Sequence, residues 1–92
     1  MKSILTPYCI ELEVKGITHN FHGFERSNGM PLFIMGYASL DTNIYFRTYK
    51  HAKNAIREAK KIRSYYDRRK MYKDSIVRVV DMVNDKVYLV VD

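Results

Sequence analysis

Residues 48–66 read TYKHAKNAIREAKKIRSYY and carry the clearest secondary-structure pattern in the chain. The run from Tyr49 to Tyr66 contains no glycine or proline and is rich in alanine, lysine and arginine, which favour helices. Its apolar residues recur at spacings of three and four, which places them on one face of a helix. They are Ala52, Ala55, Ile56, Ala59, Ile62 and Tyr66. We therefore predict a helix over residues 49–66, with Thr48 as its N-cap because a threonine hydroxyl can accept a hydrogen bond from an early helical N–H.

Strand patterns lie on both sides of this helix. Apolar and charged residues alternate over Cys9–Lys15, which is typical of a half-buried strand. Further apolar runs predict the remaining strands at Leu32–Ala38, Ile44–Arg47, Ser75–Met82 and Val87–Val91. The order is then β-β-β-α-β-β, and the fold class is α+β, with a mainly antiparallel sheet of about five strands and one helix. Residues 1–92 are expected to form a single small domain.

Chain length and composition limit the class of protein. The chain has 92 residues, 47% of them hydrophobic, and its apolar runs fall far below the length that crosses a bilayer. The N-terminal residues lack the apolar core of a signal peptide. Cys9 is the only cysteine, so no internal disulfide can form, and we expect it to be buried as a small apolar residue. These features together predict a cytoplasmic protein with no membrane partner.

Positive charge is concentrated in one region of the chain. The formal net charge is +6, yet residues 50–73 contain ten lysines and arginines against two acidic residues, so the rest of the chain sums to −2. At about 100° per residue, six of these cations fall within roughly a third of the helix circumference, opposite the alanine face. The six are Lys50, Lys53, Arg57, Lys60, Lys61 and Arg68.

A row of cations on a helix is suited to a phosphate backbone. The predicted nucleic-acid contacts are Lys50, Lys53, Arg57, Lys60, Lys61, Arg63, Arg68, Arg69 and Lys70. Tyrosines interleaved with these cations are candidates for base stacking, namely Tyr65, Tyr66 and Tyr72. The alternative is that the helix simply has a solvated polar face and that the tyrosines pack in or beside the core.

The segment between the first two predicted strands is polar and aromatic. We interpret residues 18–31 as a long loop with an Asn28-Gly29 turn and as a possible contact surface for a partner. Its candidate contact residues are His19, Phe21, His22, Phe24 and Arg26. The alternative is that the two phenylalanines close the end of a thin core.

Patterns for catalysis and for metal binding are weak. Residues 19–22 form an HxxH, which together with Cys9 and His51 would offer zinc ligands, but zinc sites usually contain more than one cysteine. One of the two loop histidines could serve as a general base beside Arg26 or Arg47 in a nuclease. Nothing but their closeness in one loop brings these groups together, so we predict a non-enzymatic protein with no catalytic residues, no metal and no cofactor.

The segment Ile44–Ala59 resembles a known strand-to-helix joint. A short strand ends in an aromatic residue, Thr48 follows, and alanines continue at helical spacing, as in AP2-type DNA-binding domains and the arm-binding domains of phage integrases. In those families a three-stranded sheet reads DNA, which would place the DNA-facing positions near Arg26 and Arg47. The tryptophan expected there is absent. The whole chain also looks like small α+β accessory proteins of phages and mobile elements, including anti-CRISPRs.

Two functional hypotheses follow. The first is a nucleic-acid-binding accessory protein of low sequence specificity that contacts DNA or RNA phosphates through the basic helix face. The second is a protein-interaction module, such as a phage-encoded inhibitor of a host-defence enzyme or nucleoprotein, which would bind an acidic protein surface or use a sheet edge. A homodimer through an edge strand is compatible with either hypothesis.

Overall fold

The computed structural model describes residues 6–35 and 46–91. One helix and six strands lie in these ranges, in an α+β arrangement, which confirms the predicted fold class. The elements are β1 (Tyr8–Val14), β2 (Ile17–Phe24), β3 (Pro31–Met35), β4 (Thr48–Tyr49), α1 (Ala52–Arg69), β5 (Ile76–Asp81) and β6 (Lys86–Val91).

The strands form one antiparallel sheet in the order β3-β2-β1-β5-β6. Its centre is the pairing of β1 with β5, from Tyr8 opposite Asp81 to Glu13 opposite Ile76. The short β4 pairs with the beginning of β1 at Cys9 and Thr48, while β2 pairs with the end of β1. The sheet therefore joins an N-terminal β1–β2–β3 meander to a C-terminal β5–β6 hairpin.

The helix covers one face of this sheet. Ile10 of β1 and Val77 and Val79 of β5 point towards α1 and are completely buried. They meet Ala59 and Ile62, which are also completely buried. Alanine adds only a methyl group to the helix surface, so α1 can approach the strands closely. Full burial of the Ile62 side chain alone contributes about 2 kcal/mol of hydrophobic stabilisation.

On the opposite face of the sheet, an arginine forms ion pairs with two glutamates of the neighbouring strand. Arg78 of β5 donates hydrogen bonds to Glu11 and Glu13 of β1, each at 2.9 Å, and a longer one of 3.3 Å to the Thr18 hydroxyl of β2. Because all four side chains are only partly exposed, this network links three adjacent strands in a region of reduced solvent screening. Within the described ranges no second helix covers this face.

The β5–β6 turn contains Asn84 and Asp85. Asp85 adopts a left-handed conformation with φ of 54°, and the Asp81 carboxylate organises the turn. It accepts hydrogen bonds from the Asn84 side chain at 2.8 Å, the Asn84 backbone N–H at 3.2 Å and the Val83 backbone N–H at 3.0 Å. These donors, the Asn84 side chain foremost, hold the pKa of Asp81 below its usual value.

The predicted start of the helix was wrong, and at its other end the helix extends beyond residue 66 towards Lys70. Thr48 belongs to β4, where its backbone pairs with Cys9, so it cannot cap a helix that begins at Ala52. The N-cap is His51, whose backbone is extended and whose side chain makes no capping hydrogen bond. The helix then continues to Arg69 and ends at Lys70, which is left-handed with φ of 54°.

The interpretation of residues 18–31 as a loop was also wrong. Residues Ile17–Phe24 form β2, and Phe21 is completely buried in the core. Only the following segment is a turn, in which Gly29 has φ of 72° and the backbone N–H of Glu25 donates to the Met30 carbonyl at 2.8 Å. Successive side chains of β2 point to opposite faces of the sheet, but the polar histidine and asparagine residues conceal this alternation in the sequence.

The other boundaries differ by a few residues. The strand predicted at Leu32–Ala38 begins at Pro31, and its last three predicted residues lie outside the described ranges. The prediction at Ile44–Arg47 is partly outside them as well, and the strand found nearby is Thr48–Tyr49. Cys9 is 2% exposed, as predicted. In the described ranges the structure contains no helix with the length and apolar content that a membrane span requires.

Candidate nucleic-acid interface

The outer side of α1 is a basic surface. Lys53, Arg57, Lys60, Lys61 and Arg68 are all exposed and lie within an arc of about 100° on the side away from the sheet. Ser64 and Ile56 fill the gaps between them. Lys50 precedes the helix and is exposed as well. We call these six cations, Lys50, Lys53, Arg57, Lys60, Lys61 and Arg68, the basic helix face.

The acidic residues of α1 are engaged by other partners. Glu58 accepts a hydrogen bond from the Tyr49 hydroxyl and pairs with Arg47 at 3.3 Å. Burial of the Tyr49 ring, reinforced by this carboxylate, raises the pKa of the Tyr49 phenol. Among residues 6–35 and 46–91, no cation of the basic helix face forms an ion pair. Arg57 donates only to the neutral side chain of Asn54, at 2.6 Å.

Arg63 stands apart from the other predicted nucleic-acid contacts. Its side chain is buried against the sheet side of α1 and donates to the Asp67 carboxylate at 3.2 Å. It also donates to the backbone carbonyls of Ser75 at 3.0 Å and Tyr72 at 3.4 Å. These bonds fasten the segment after the helix to α1. The guanidinium is thereby used within the protein, and we remove Arg63 from the candidate interface.

The cluster that follows the basic helix face is exposed. Arg69 lies over the Tyr65 ring, with its guanidinium carbon 3.7 Å from the ring centroid, a cation–π contact. Arg68 and Arg69 sit in the last turn of α1, where positive charge interacts favourably with the helix dipole. Lys70 extends the cluster beyond the helix. Exposed cations therefore continue along the chain past the basic helix face as far as Lys70.

The three candidate stacking tyrosines form a chain of edge-to-face contacts. Tyr66 is in the middle, with ring centroids 5.5 Å from Tyr65 and 4.9 Å from Tyr72. It is only 4% exposed, and burial raises its pKa to about 12. Tyr66 is therefore part of the core, whereas Tyr65 is half-buried and Tyr72 is 45% exposed. Of the three rings, that of Tyr72 is the most exposed, since Arg69 covers the Tyr65 ring.

These tyrosines border a cleft that the sequence pattern did not indicate. The C-terminal half of α1 leaves the β2–β3 side of the sheet uncovered, and a cleft of about 480 Å³ lies between them. Its lining is apolar and aromatic apart from His19 and Arg69. The lining residues are Leu12, Val14, His19, Met30, Pro31, Phe33, Tyr65, Tyr66, Arg69, Met71 and Tyr72. They come from four separate segments of the chain, so no local motif could have identified the group.

The residues of the supposed contact loop are dispersed in the structure. Phe21 and Phe24 pack edge to face at 4.9 Å, and Phe21 belongs to the core, which was the alternative interpretation of these rings. His19 faces the cleft, while His22 and Arg26 are exposed. The five residues therefore do not form one contact surface.

The candidate metal ligands and catalytic groups do not converge. In the part of the chain that the structure describes, no group of three histidine, cysteine, aspartate or glutamate side chains is placed to hold a metal ion. Arg47, which a nuclease would use on a phosphate, instead lies against Phe21 and pairs with Glu58.

A scan against protein-family models, a search of curated proteins and a search of solved structures each return no match.

Proposed function

We propose that this protein is a non-enzymatic nucleic-acid-binding module that contacts phosphates through the basic helix face. The proposal rests on one observation: five exposed cations share the outer side of α1, Lys50 is exposed just before the helix, and none of the six forms an ion pair within the described ranges. Unneutralised like charges on a helix repel each other, and phosphates would relieve this repulsion.

The length of the surface supports contact with several phosphates of one strand. Lys53 and Arg68 are 15 positions apart in α1, or about 22 Å along the helix axis. One strand of B-DNA places a phosphate every 3.4 Å or so of its axis, so about six phosphates lie within this length. Contacts of lysine and arginine with phosphates carry no sequence information. Low sequence specificity is therefore expected.

Fluorescence anisotropy with labelled duplex DNA, single-stranded DNA and RNA, over a series of salt concentrations, tests the proposal. Five phosphate contacts predict a log–log salt slope of about −4.5 on duplex DNA, which is a loss of about 500-fold in affinity between 50 and 200 mM salt. The triple variant K53E/R57E/K61E reverses the centre of the basic helix face and should abolish binding at moderate salt.

A matched control separates local charge from net charge. The variant K15E/R26E/K86E makes the same change in net charge at three exposed positions outside α1. It should retain most of the affinity and most of the salt slope. Equal losses in both triple variants would mean that overall charge, and not the basic helix face, drives binding. Absence of binding by the wild-type protein at low salt would refute the proposed function.

A second candidate function, a protein-interaction module, is favoured by β6. This strand lies at the edge of the sheet as described, and Val87, Tyr88 and Val90 are each about half exposed. An apolar edge strand can pair with an extended segment of a partner through its free backbone groups. The partner class would be a host-defence enzyme or nucleoprotein, in the manner of a phage-encoded inhibitor, or a second copy of this chain.

The variant V87K/V90K tests this alternative, because lysines on an edge strand discourage strand addition. Affinity capture from a host lysate treated with nuclease would be compared for the wild type, V87K/V90K and K53E/R57E/K61E. A protein retained by the wild type and the basic-face variant but lost with V87K/V90K would support the second function. Unchanged capture by V87K/V90K would exclude β6 as the contact.

A further inference from the structure

The cleft beside the C-terminal half of α1 has the size and the lining of a ligand site. Its volume of about 480 Å³ lies within the range of small-molecule sites in proteins. Phe33, Tyr65 and Tyr72 supply aromatic walls, and Tyr72 presents nearly half of its surface to solvent. Flat, apolar walls favour a flat ligand, since a ring can stack on them or meet their edges.

One buried polar atom belongs to a residue that lines the cleft and lacks a hydrogen-bond partner in the described part of the chain. The Nδ1 atom of His19 is buried and has no hydrogen-bond partner among the described residues. A buried nitrogen without a partner costs free energy, and rotation of the imidazole towards the cleft would let a ligand hydrogen-bond to it and remove that cost. The imidazole Nδ1 can donate or accept according to its tautomer. The ligand that fits the cleft thus has a flat ring with hydrogen-bonding atoms on its edge.

The rim of the cleft is positive. Arg69 borders it, with its guanidinium held over the Tyr65 ring, and donates to the Tyr65 carbonyl at 3.4 Å. Arg68 of the basic helix face and Lys70 are the neighbours of Arg69 in the chain and both are exposed, so further positive charge lies near the rim. A ligand with one anionic group per ring would place the ring in the cleft and the charge at the rim.

We propose that the cleft binds one unpaired nucleobase of a single-stranded nucleic acid, whose flanking phosphates lie on Arg69 and the basic helix face. This inference rests on the proposed function and makes it more specific. Bases in a duplex are stacked and paired, so they cannot enter the cleft without being extruded. The protein would therefore prefer single strands, with phosphate contacts supplying most of the affinity and the cleft supplying the preference.

The test compares Tyr72→Ala with two matched variants on labelled single-stranded DNA, single-stranded RNA and duplex DNA. Y72A should weaken single-strand binding by about 5- to 150-fold, the range expected for one stacked base, and change duplex binding by less than about 2-fold. Y72F retains the ring and should bind as the wild type does. Y88A removes a tyrosine of similar exposure on β6, remote from the cleft, and should also bind as the wild type does.

A second probe reports on the cleft independently of affinity. A single strand carrying 2-aminopurine in place of one base should change its fluorescence on binding, and this change should be lost in H19L as well as in Y72A. Circular dichroism confirms that each variant is folded.

The outcomes distinguish the two proposals. The cleft proposal would be overturned if the wild type bound duplex and single strands with equal affinity and Y72A and H19L changed neither affinity. The proposed role of the basic helix face would then remain. Equal losses of single-strand and duplex binding in folded Y72A would also overturn it, because the tyrosine would then act without regard to base pairing. Absence of binding to every nucleic acid would overturn both proposals.

Discussion

Replacing Arg63 with methionine tests whether this cation supports the fold or binds ligand, because methionine keeps the aliphatic length and removes only the guanidinium. That group donates to the Ser75 carbonyl at 3.0 Å and to the Asp67 carboxylate at 3.2 Å. A charged donor on a carbonyl contributes about 1.5 kcal/mol. The ion pair adds only about 0.3–0.5 kcal/mol, because Asp67 is well exposed. R63M should therefore lower the free energy of unfolding by about 2 kcal/mol.

Urea and thermal denaturation measure this loss. In a domain of this size each kcal/mol corresponds to about 4–8 °C, so Tm should fall by about 8–16 °C. Nucleic-acid binding is then measured at a temperature where the variant is folded, and its salt slope should equal that of the wild type. The paired control is R57M. Arg57 is exposed and bonded only to Asn54, so stability should change by less than about 0.5 kcal/mol.

The two variants should give opposite results. R57M should make the salt slope on duplex DNA less negative by about 0.9, the share of one phosphate contact. If R63M reduces the salt slope while leaving Tm unchanged, the guanidinium meets phosphate and the argument that it fastens the segment after α1 is refuted. If R57M leaves the slope unchanged, Arg57 does not contact phosphate.

Three further predictions concern the stability of the fold. Burial raises the pKa of Tyr66 to about 12, so its neutral phenol stabilises the fold below about pH 10 and this contribution is lost as the pH rises further. The urea midpoint of Y66F should therefore decline less between pH 9 and 11.5 than that of the wild type. The lowered pKa of Asp81 gives the opposite pH dependence: the ionised carboxylate stabilises the fold above about pH 4, and this stabilisation is lost as the pH falls. The difference in urea midpoint between the wild type and D81N should therefore shrink from pH 7 to pH 2. A constant difference would contradict the role of Asn84 as the donor to Asp81. Ala59→Leu adds three heavy atoms where α1 meets the sheet and should cost about 1–3 kcal/mol in a thermal melt, whereas the exposed Ser64→Leu should cost less than about 0.5 kcal/mol.

The helix and the central strands could be predicted because their periodicity is set by burial. The alanines of α1 and the alternation in β1 both follow from contact with one core. The β2 strand was missed because three consecutive polar residues, Thr18, His19 and Asn20, precede Phe21, so apolar and polar residues do not alternate. The histidine is tolerated on the inward side because the cleft, and not tight packing, lies above it.

The basic helix face was predictable for the same reason, since exposed positions of a helix follow from its period. The different role of Arg63 was not. It depends on the chain turning back after Lys70, a left-handed residue that is not glycine, which brings the carbonyls of Tyr72 and Ser75 to the guanidinium. Interactions between segments that meet only through the tertiary fold leave no trace in local spacing, and this applies equally to the lining of the cleft.

The central position of the β1–β5 pairing has a consequence for how the chain folds. The β1–β2 and β5–β6 turns join neighbouring segments, but Tyr8 and Asp81 meet only after the chain between them has closed. Closing a loop of about 70 residues costs about 2.5 kcal/mol more in chain entropy than closing a four-residue turn. We therefore expect the joining of the two halves around α1 to limit the rate of folding. Arg78 of β5 donates a hydrogen bond to Glu11 of β1, so substitutions at Arg78 should alter the rate of folding. Substitutions at the outer edge of β6 should instead alter the rate of unfolding.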